Sequence, residues 1–253
     1  MRITAQAGQE LGVTVEGFAA GSASAADIAA LKEAVYTSKI AVLKDQDLTP
    51  RRFLALGRSL GREVEHFDPA YDHSGSFWHS DYQLMTEPYD FGMVYPKVVP
   101  IYFIDTAAAY KRLSMSLKQA VSGAIATHSL LRHVRFEPED LDRALPDIVE
   151  QVNGRNPPLT VPAAVTHPRT GETLLHVSEG FTLAVRDADG EDRPDLLAAL
   201  LEASGQLDQT YRHENIHVQT FEKGDLLVWD NRSLIHRAPL TATPEPALSV
   251  YDG

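Results

Sequence analysis

The feature that most constrains this chain is one set of metal-ligating side chains divided between two distant motifs. Ser76-Phe77-Trp78-His79-Ser80-Asp81-Tyr82 offers an imidazole and a carboxylate two residues apart in an aromatic frame. In an extended strand, side chains at i and i+2 point to the same face, so His79 and Asp81 can reach a single ion. Far downstream, Asp225-Leu226-Leu227-Val228-Trp229-Asp230-Asn231-Arg232-Ser233-Leu234-Ile235-His236-Arg237 reads as an apolar strand, a polar turn and a histidine entering the next strand. His236 then supplies a third ligand. Two histidines and a carboxylate on one side of a metal form the facial arrangement of non-haem Fe(II) oxygenases, with the opposite positions free for substrate, cosubstrate and dioxygen. The same donors can hold Zn(II), which would favour hydrolysis.

With these motifs the sequence resembles the taurine dioxygenase/TfdA-like Fe(II)- and 2-oxoglutarate-dependent dioxygenases, which carry Trp-His-x-Asp in the first half and Trp-Asp-Asn-Arg-x-x-x-His near the end. Ser38-Lys39-Ile40-Ala41-Val42-Leu43-Lys44-Asp45-Gln46-Asp47-Leu48-Thr49-Pro50 is similar to the family's first core strand and the turn after it. Asn156-Pro157-Pro158-Leu159, Thr166-His167-Pro168-Arg169-Thr170-Gly171 and Glu179-Gly180-Phe181-Thr182 follow in family order. The resemblance implies Fe(II) held by His79, Asp81 and His236, 2-oxoglutarate as cosubstrate and dioxygen as substrate. It also implies a double-stranded β-helix, or jelly roll, of the cupin-like kind. The order of elements in the sequence points the same way: mainly β, with flanking α-helices.

The bulk properties exclude more than they indicate. At 253 residues, the chain fits one domain, 1–253, with a sizeable core. A net charge of −12 argues against a nucleic-acid surface, which needs clustered Lys and Arg. No apolar run approaches a membrane span, and Met1-Arg2-Ile3-Thr4-Ala5-Gln6 lacks a secretory apolar core, so a soluble cytoplasmic protein acting on a small molecule is expected. Without cysteine, any transition metal must use His, Asp, Glu or water. The family commonly forms dimers or tetramers, which makes a homo-oligomer an expectation here.

Along the chain, Ser24 or Asp27 caps a helix through Ile28, Leu31 and Val35, and Thr49-Pro50 opens another through Phe53, Leu54, Leu56 and Leu60. His66, Tyr71 and His73 lie in a polar, turn-rich stretch before the metal motif and read as solvated loop residues. Residues 82–95 resemble the family's lid loop, which would gate water at the site. A strand over 98–105 leads into a helix through Ala108, Tyr110, Leu113 and Leu117, and residues 137–152 read as an acidic, helix-rich insertion. Trp78 and Trp229 read as packing residues, and Asn231 and Arg232 as the fixers of the turn before His236.

The departures from the family concern the cosubstrate. Its distal carboxylate is usually held by an arginine a short way after the distal histidine, whose planar fork makes two charge-assisted bonds. Nothing cationic follows Arg237, which should itself point away from His236 on a strand. Where the family usually has Gly-Gly-Asp-Thr, this chain reads Phe103-Ile104-Asp105-Thr106, so Thr106 is the remaining cosubstrate candidate. Arg135, Arg186 and Arg212 are alternative cations. Three functional readings follow: a 2-oxoglutarate-dependent oxygenase performing hydroxylation, desaturation or ring closure; a 2-oxoglutarate-independent Fe(II) enzyme whose substrate chelates the metal; and a binding protein that keeps the scaffold without turnover.

Overall fold

In Ile40-Ala41-Val42-Leu43 every residue is buried, which requires a layer on each face of the strand they form. Both layers are present. Ile40 and Val42 pack with Phe103, Leu227, Trp229 and Leu234 between two sheets, while Ala41 and Leu43 pack with Ile28, Leu31, Phe53 and Leu56 under two helices. A computed structural model describes residues 1–63, 77–95, 100–133, 138–238 and 247–251.

The elements in chain order are β1 Arg2–Ala5, β2 Val13–Glu16, α1 Ala25–Ser38, β3 Ile40–Leu43, α2 Pro50–Leu60, β4 Arg62–Glu63, β5 Phe91–Val94, β6 Ile101–Asp105, α3 Thr106–Arg112, α4 Met115–Val121, β7 Ile125–His128, α5 Leu145–Arg155, β8 Leu159–Pro162, β9 Ala164–Thr166, β10 Thr173–Leu175, β11 Thr182–Arg186, α6 Pro194–Ala203, β12 Ile216–Gln219, β13 Leu226–Asp230, β14 Leu234–Arg237 and β15 Ala247–Tyr251. The major sheet runs β1-β2-β3-β13-β5-β15-β4, and the facing minor sheet runs β12-β6-β14. A third sheet, β11-β7-β8, and the hairpin β9-β10 lie outside this pair in the strand order. The fold is thus mainly β with flanking helices. No helix among the described residues is long and apolar enough to cross a membrane.

Local chemistry sets the helix boundaries. Ser24 accepts the Asp27 N–H while the Asp27 carboxylate accepts the Ser24 N–H, a reciprocal cap at the start of α1. Thr49 caps α2 in front of Pro50. α1 ends at Lys39, which is left-handed at φ 65°. The buried Lys39 ammonium pays for that conformation by bonding both Asp105 carboxylate oxygens, at 2.8 and 2.9 Å, and approaching Glu172 at 3.1 Å. Asp105 also caps α3 through the Ala107 and Ala108 N–H groups.

Three sequence expectations change. The helix expected through Leu117 breaks into α3 and α4, because the Ser114 hydroxyl caps a fresh start by accepting the Leu117 N–H. The insertion expected to be helical over 137–152 forms its α-helix later, as α5. The segment 82–95 is not a loop throughout: Phe91–Val94 is a fully buried strand paired with β13 and β15. Any lid is confined to the residues before it. A close approach explains Gly92, where a Cβ would lie 2.1 Å from the Trp229 ring.

Candidate metal centre

The two motifs meet through one antiparallel bridge. His79 N–H donates to the His236 carbonyl at 3.1 Å, and His236 N–H donates to the His79 carbonyl at 2.7 Å. Residues exchanging both bonds stand directly opposite, with side chains on one face. The imidazole centroids accordingly lie 4.3 Å apart. Asp81 Oδ1 is 3.8 Å from His79 Nε2 and 3.6 Å from His236 Nε2. One ligand atom from each residue lies within 4.8 Å of the others, the one such cluster of three or more His, Asp or Glu among the described residues. Cis ligands at bonds of about 2.1 Å stand about 3 Å apart, so a small contraction would seat an ion.

The surroundings orient the donors. His79 Nδ1 lies 2.8 Å from the Phe77 carbonyl, to which it can donate, leaving Nε2 as the free lone pair. Burial lowers the His79 pKa, against the opposing pull of Asp81 and of the backbone bonds. Burial, followed by the nearby His79, pushes His236 down to about 3 despite Asp81. Both rings are therefore neutral near pH 7, as ligands must be. Asp81 is positioned by Asn231: its N–H donates to Asn231 Oδ1 at 2.9 Å, and Asn231 Nδ2 donates to its carbonyl at 3.0 Å and to that of Tyr89 at 3.2 Å.

Asp230, rather than Asn231, closes the turn before His236. Its Oδ1 accepts the Arg232 and Ser233 N–H groups, and its Oδ2 accepts the Ser233 hydroxyl at 2.6 Å. The fully buried His167 also holds it, at 3.2 Å. His167 Nδ1 accepts the Arg169 and Thr170 N–H groups, which leaves the proton on Nε2, toward Asp230. Arg232 pairs with Asp90. Asn231 thus fixes one ligand segment and Asp230 the other.

The family model described as taurine catabolism dioxygenase TauD, TfdA family matches residues 2–247. The chain belongs to the TauD/TfdA family. Among its relatives, the alpha-ketoglutarate-dependent 2,4-dichlorophenoxyacetate dioxygenase of Cupriavidus pinatubonensis is 31% identical over 175 residues, 65% of this chain and 54% of the relative. Pentalenolactone F synthase of Streptomyces arenae is 27% identical over 169 residues, 63% of this chain and 54% of the relative. The chain spans about half the length of these relatives. A putative alpha-ketoglutarate-dependent 2,4-D dioxygenase from Burkholderia xenovorans superposes with a TM-score of 0.78 at 20% identity, over 100% of this chain and 98% of that one. AAD-2, solved with Mn(II) and N-oxalylglycine, gives 0.76 at 21%, over 99% and 97%. These likenesses show the jelly-roll fold.

Within this TauD/TfdA chain, the cosubstrate candidates scatter. The Thr106 N–H and hydroxyl both donate to the Ser233 carbonyl, each at 2.9 Å. Thr106 lines a cavity with Ser80, Asn231 and Ile235, on the face of β14 opposite to His236. Arg237 points away from His236 as expected: its guanidinium lies 3.7 Å from Glu179 and 5.6 Å from the Tyr211 ring centroid. Arg186 pairs with Asp192 at the surface, and Arg212 is exposed. Arg135, His66, Tyr71, His73 and residues 239–246 of the tail lie outside the described residues. Trp78 and Trp229 are buried, the latter with its ring centroid 5.1 Å from that of His236.

The sequence reading overlooked Gln83, His128 and His176 entirely and saw His167 only as part of a family stretch. The one signal for Gln83 misleads: alternation from His79 and Asp81 would put it with the ligands, whereas residues 81–84 form a turn and Gln83 lines the cavity with Thr106 and Ile235. His128 and His176 carried none, since each simply ends or follows a short apolar strand.

Proposed function

We propose that the chain, acting as one domain over 1–253, is a non-haem Fe(II)-dependent oxygenase of a small molecule, with His79, Asp81 and His236 as metal ligands. The observation carrying this reading is the convergence of two neutral, pre-oriented imidazoles and one carboxylate. The relatives named as dioxygenases support it, as does the Mn(II) in the AAD-2 structure. One domain is supported by β1 and β15, from the two ends of the chain, sharing a sheet. A ferrous ion supplies dioxygen activation for oxidation of an unactivated C–H bond. The His79–His236 bridge and the Asn231 bracket would hold the three donors around such an ion. Phe103, Trp229 and Phe181 provide apolar walls near the imidazoles, which keep water from a reactive centre.

2-Oxoglutarate is the family's cosubstrate, and Thr106 its candidate contact here. One observation favours the second reading, in which the substrate itself chelates the metal. The Thr106 proton is spent on Ser233, so its oxygen has only lone pairs to offer a carboxylate. Phe103, at a position where the family has glycine, also places its ring centroid 5.9 Å from that of His236. The deciding experiment is anaerobic titration of the Fe(II)-loaded protein with 2-oxoglutarate, following the visible charge-transfer band of the chelate. A saturable band, abolished in Asp81→Ala, supports the cosubstrate. Iron binding without a band assigns the electrons to the substrate.

A further inference from the structure

A cavity of about 210 Å³ lies behind the metal-ligand strand, between the outer face of β14 and the β8–β10 region. Its walls are largely apolar, from Met85, Val161, Val165, Leu174, Val177 and Ile235. Polar side chains line it as well, Ser80, Thr106, Asn231 and Arg232 among them, and two stand apart, Gln83 and His176. Both carry a buried atom without a hydrogen-bond partner among the described residues, Gln83 Oε1 and His176 Nδ1. Gln83 is only 1% exposed. Behind them, His128 Nδ1 lies 3.5 Å from Gln83 Nε2, and its ring centroid is 4.9 Å from that of His176. Gln83 and His128, both buried, and the half-buried His176 thus meet beside a largely apolar wall.

Leaving a buried acceptor unpaired costs about 1–3 kcal/mol, so an arrangement that leaves several together calls for an occupant that pairs with them. We propose that this cavity is a binding site for a small uncharged molecule, a single ring or hydrocarbon body of similar size bearing one hydroxyl group, whose polar end is read by Gln83 and His176. The size follows from comparison with a cavity of about 150 Å³, which accepts benzene. Apolar walls with a few converging polar groups are the usual form of a small-molecule site.

The absence of charge follows from the wall. Burial pushes His176 down to about 4 and His128 well below its ordinary value, the latter helped by His176, so neither is a cation near pH 7. The Thr182 hydroxyl accepts the Ser178 N–H at 2.7 Å and sits 3.1 Å from His128 Nδ1, consistent with a neutral ring. The guanidinium on the wall, Arg232, is already paired with the buried Asp90. A carboxylate entering here would find no free cation among the described residues. A hydroxyl would find an acceptor in Gln83 Oε1 and a second partner in His176 Nδ1.

Met85 on the cavity wall and Met93 in the core between the major sheet and the helices make the test direct. The full chain carrying ¹³C-methyl methionine is titrated with p-cresol, toluene and p-toluate, and the Met85 signal is assigned by Met85→Leu. The expected result is a saturable shift of Met85 with p-cresol, at least about tenfold weaker binding of toluene, the loss expected for a hydrogen bond, and none of p-toluate. Gln83→Leu and His176→Phe should each weaken p-cresol about tenfold while sparing toluene. An immobile Met85 signal in a chain whose Met93 signal is native would overturn the site. Equal binding of p-cresol and p-toluate, or no effect of either variant, would overturn the assigned chemistry. The titration needs neither metal nor turnover, so it stands or falls separately from the oxygenase reading.

Discussion

Two close pairs of histidines lie among the described residues, and their difference shows what separates a metal centre from a neutral polar cluster. The His79–His236 and His128–His176 ring centroids are 4.3 and 4.9 Å apart, and burial depresses the pKa of all four rings. Proximity and desolvation are therefore common to both. Among the described residues, only the first pair has a carboxylate, Asp81, within 4 Å of both Nε2 atoms and a backbone carbonyl that selects the tautomer of one ring. The second pair meets an amide and a hydroxyl. A dication needs compensating negative charge in a buried site, and one pair alone supplies it.

The largest expected effect tests that contrast. Asp81→Ala removes the anionic ligand and should weaken Fe(II) or Co(II) binding by more than the roughly 10–100-fold lost when an outer partner is removed. His176→Phe should leave it within about twofold, the scatter of an uncoupled distant site. Anaerobic calorimetric titration measures both. Comparable losses in the two variants would erase the distinction.

Next is Asn231→Leu, which breaks the bracket around Asp81 without touching a ligand. Three backbone hydrogen bonds to the Asn231 amide are lost, from the Asp81 N–H and to the Asp81 and Tyr89 carbonyls. A fall in metal affinity of about 10–100-fold is expected, as for an outer partner, with a stability loss of about 2–4 kcal/mol in urea. Unchanged affinity with lowered stability would reduce Asn231 to a packing residue.

That residue also shows where the sequence stops being informative. His79, Asp81 and His236 were legible because strand alternation and ligand chemistry act over a few residues. The burial of Ile40–Leu43 and the caps at Ser24 and Thr49 were legible for the same reason. Asn231 was assigned to its own turn because its actual partner, Asp81, is 150 residues away. Phe91–Val94 looked like part of a lid, since only pairing with β13 and β15 reveals a strand buried on both faces. His128 and His176 sit on β7 and just after β10, in different sheets, so their meeting is a product of layering that no local pattern encodes.

Acidification sharpens the comparison from the other side. A histidine whose folded pKa is lowered is neutral in the fold, and the unfolded chain takes up its proton first. Its contribution is fully present above the unfolded value near 6.5 and is lost as pH falls below it, for His176 down to about 4. By pH 5 His176 alone should account for roughly 2 kcal/mol of lost stability. His128 adds to the loss in the same direction. Urea midpoints of the metal-free chain between pH 7.5 and 5 should fall steeply, and His176→Phe should flatten the curve. An unaltered slope would mean that these rings are reached by solvent protons in the fold.

The smallest effect isolates the second cluster's own support. Thr182 Oγ1 accepts the Ser178 N–H and contacts His128 Nδ1, so Thr182→Val keeps the shape, removes the Ser178 N–H partner and leaves His128 Nδ1 only the Gln83 amide. The cost should be about 1–3 kcal/mol. Metal affinity should not move, because the Thr182 hydroxyl contacts Ser178 and His128 and none of the three ligands. A change in metal binding in this variant would show that the two histidine pairs are coupled through the Asp81–Gln83 segment, and the contrast between them would become one of degree.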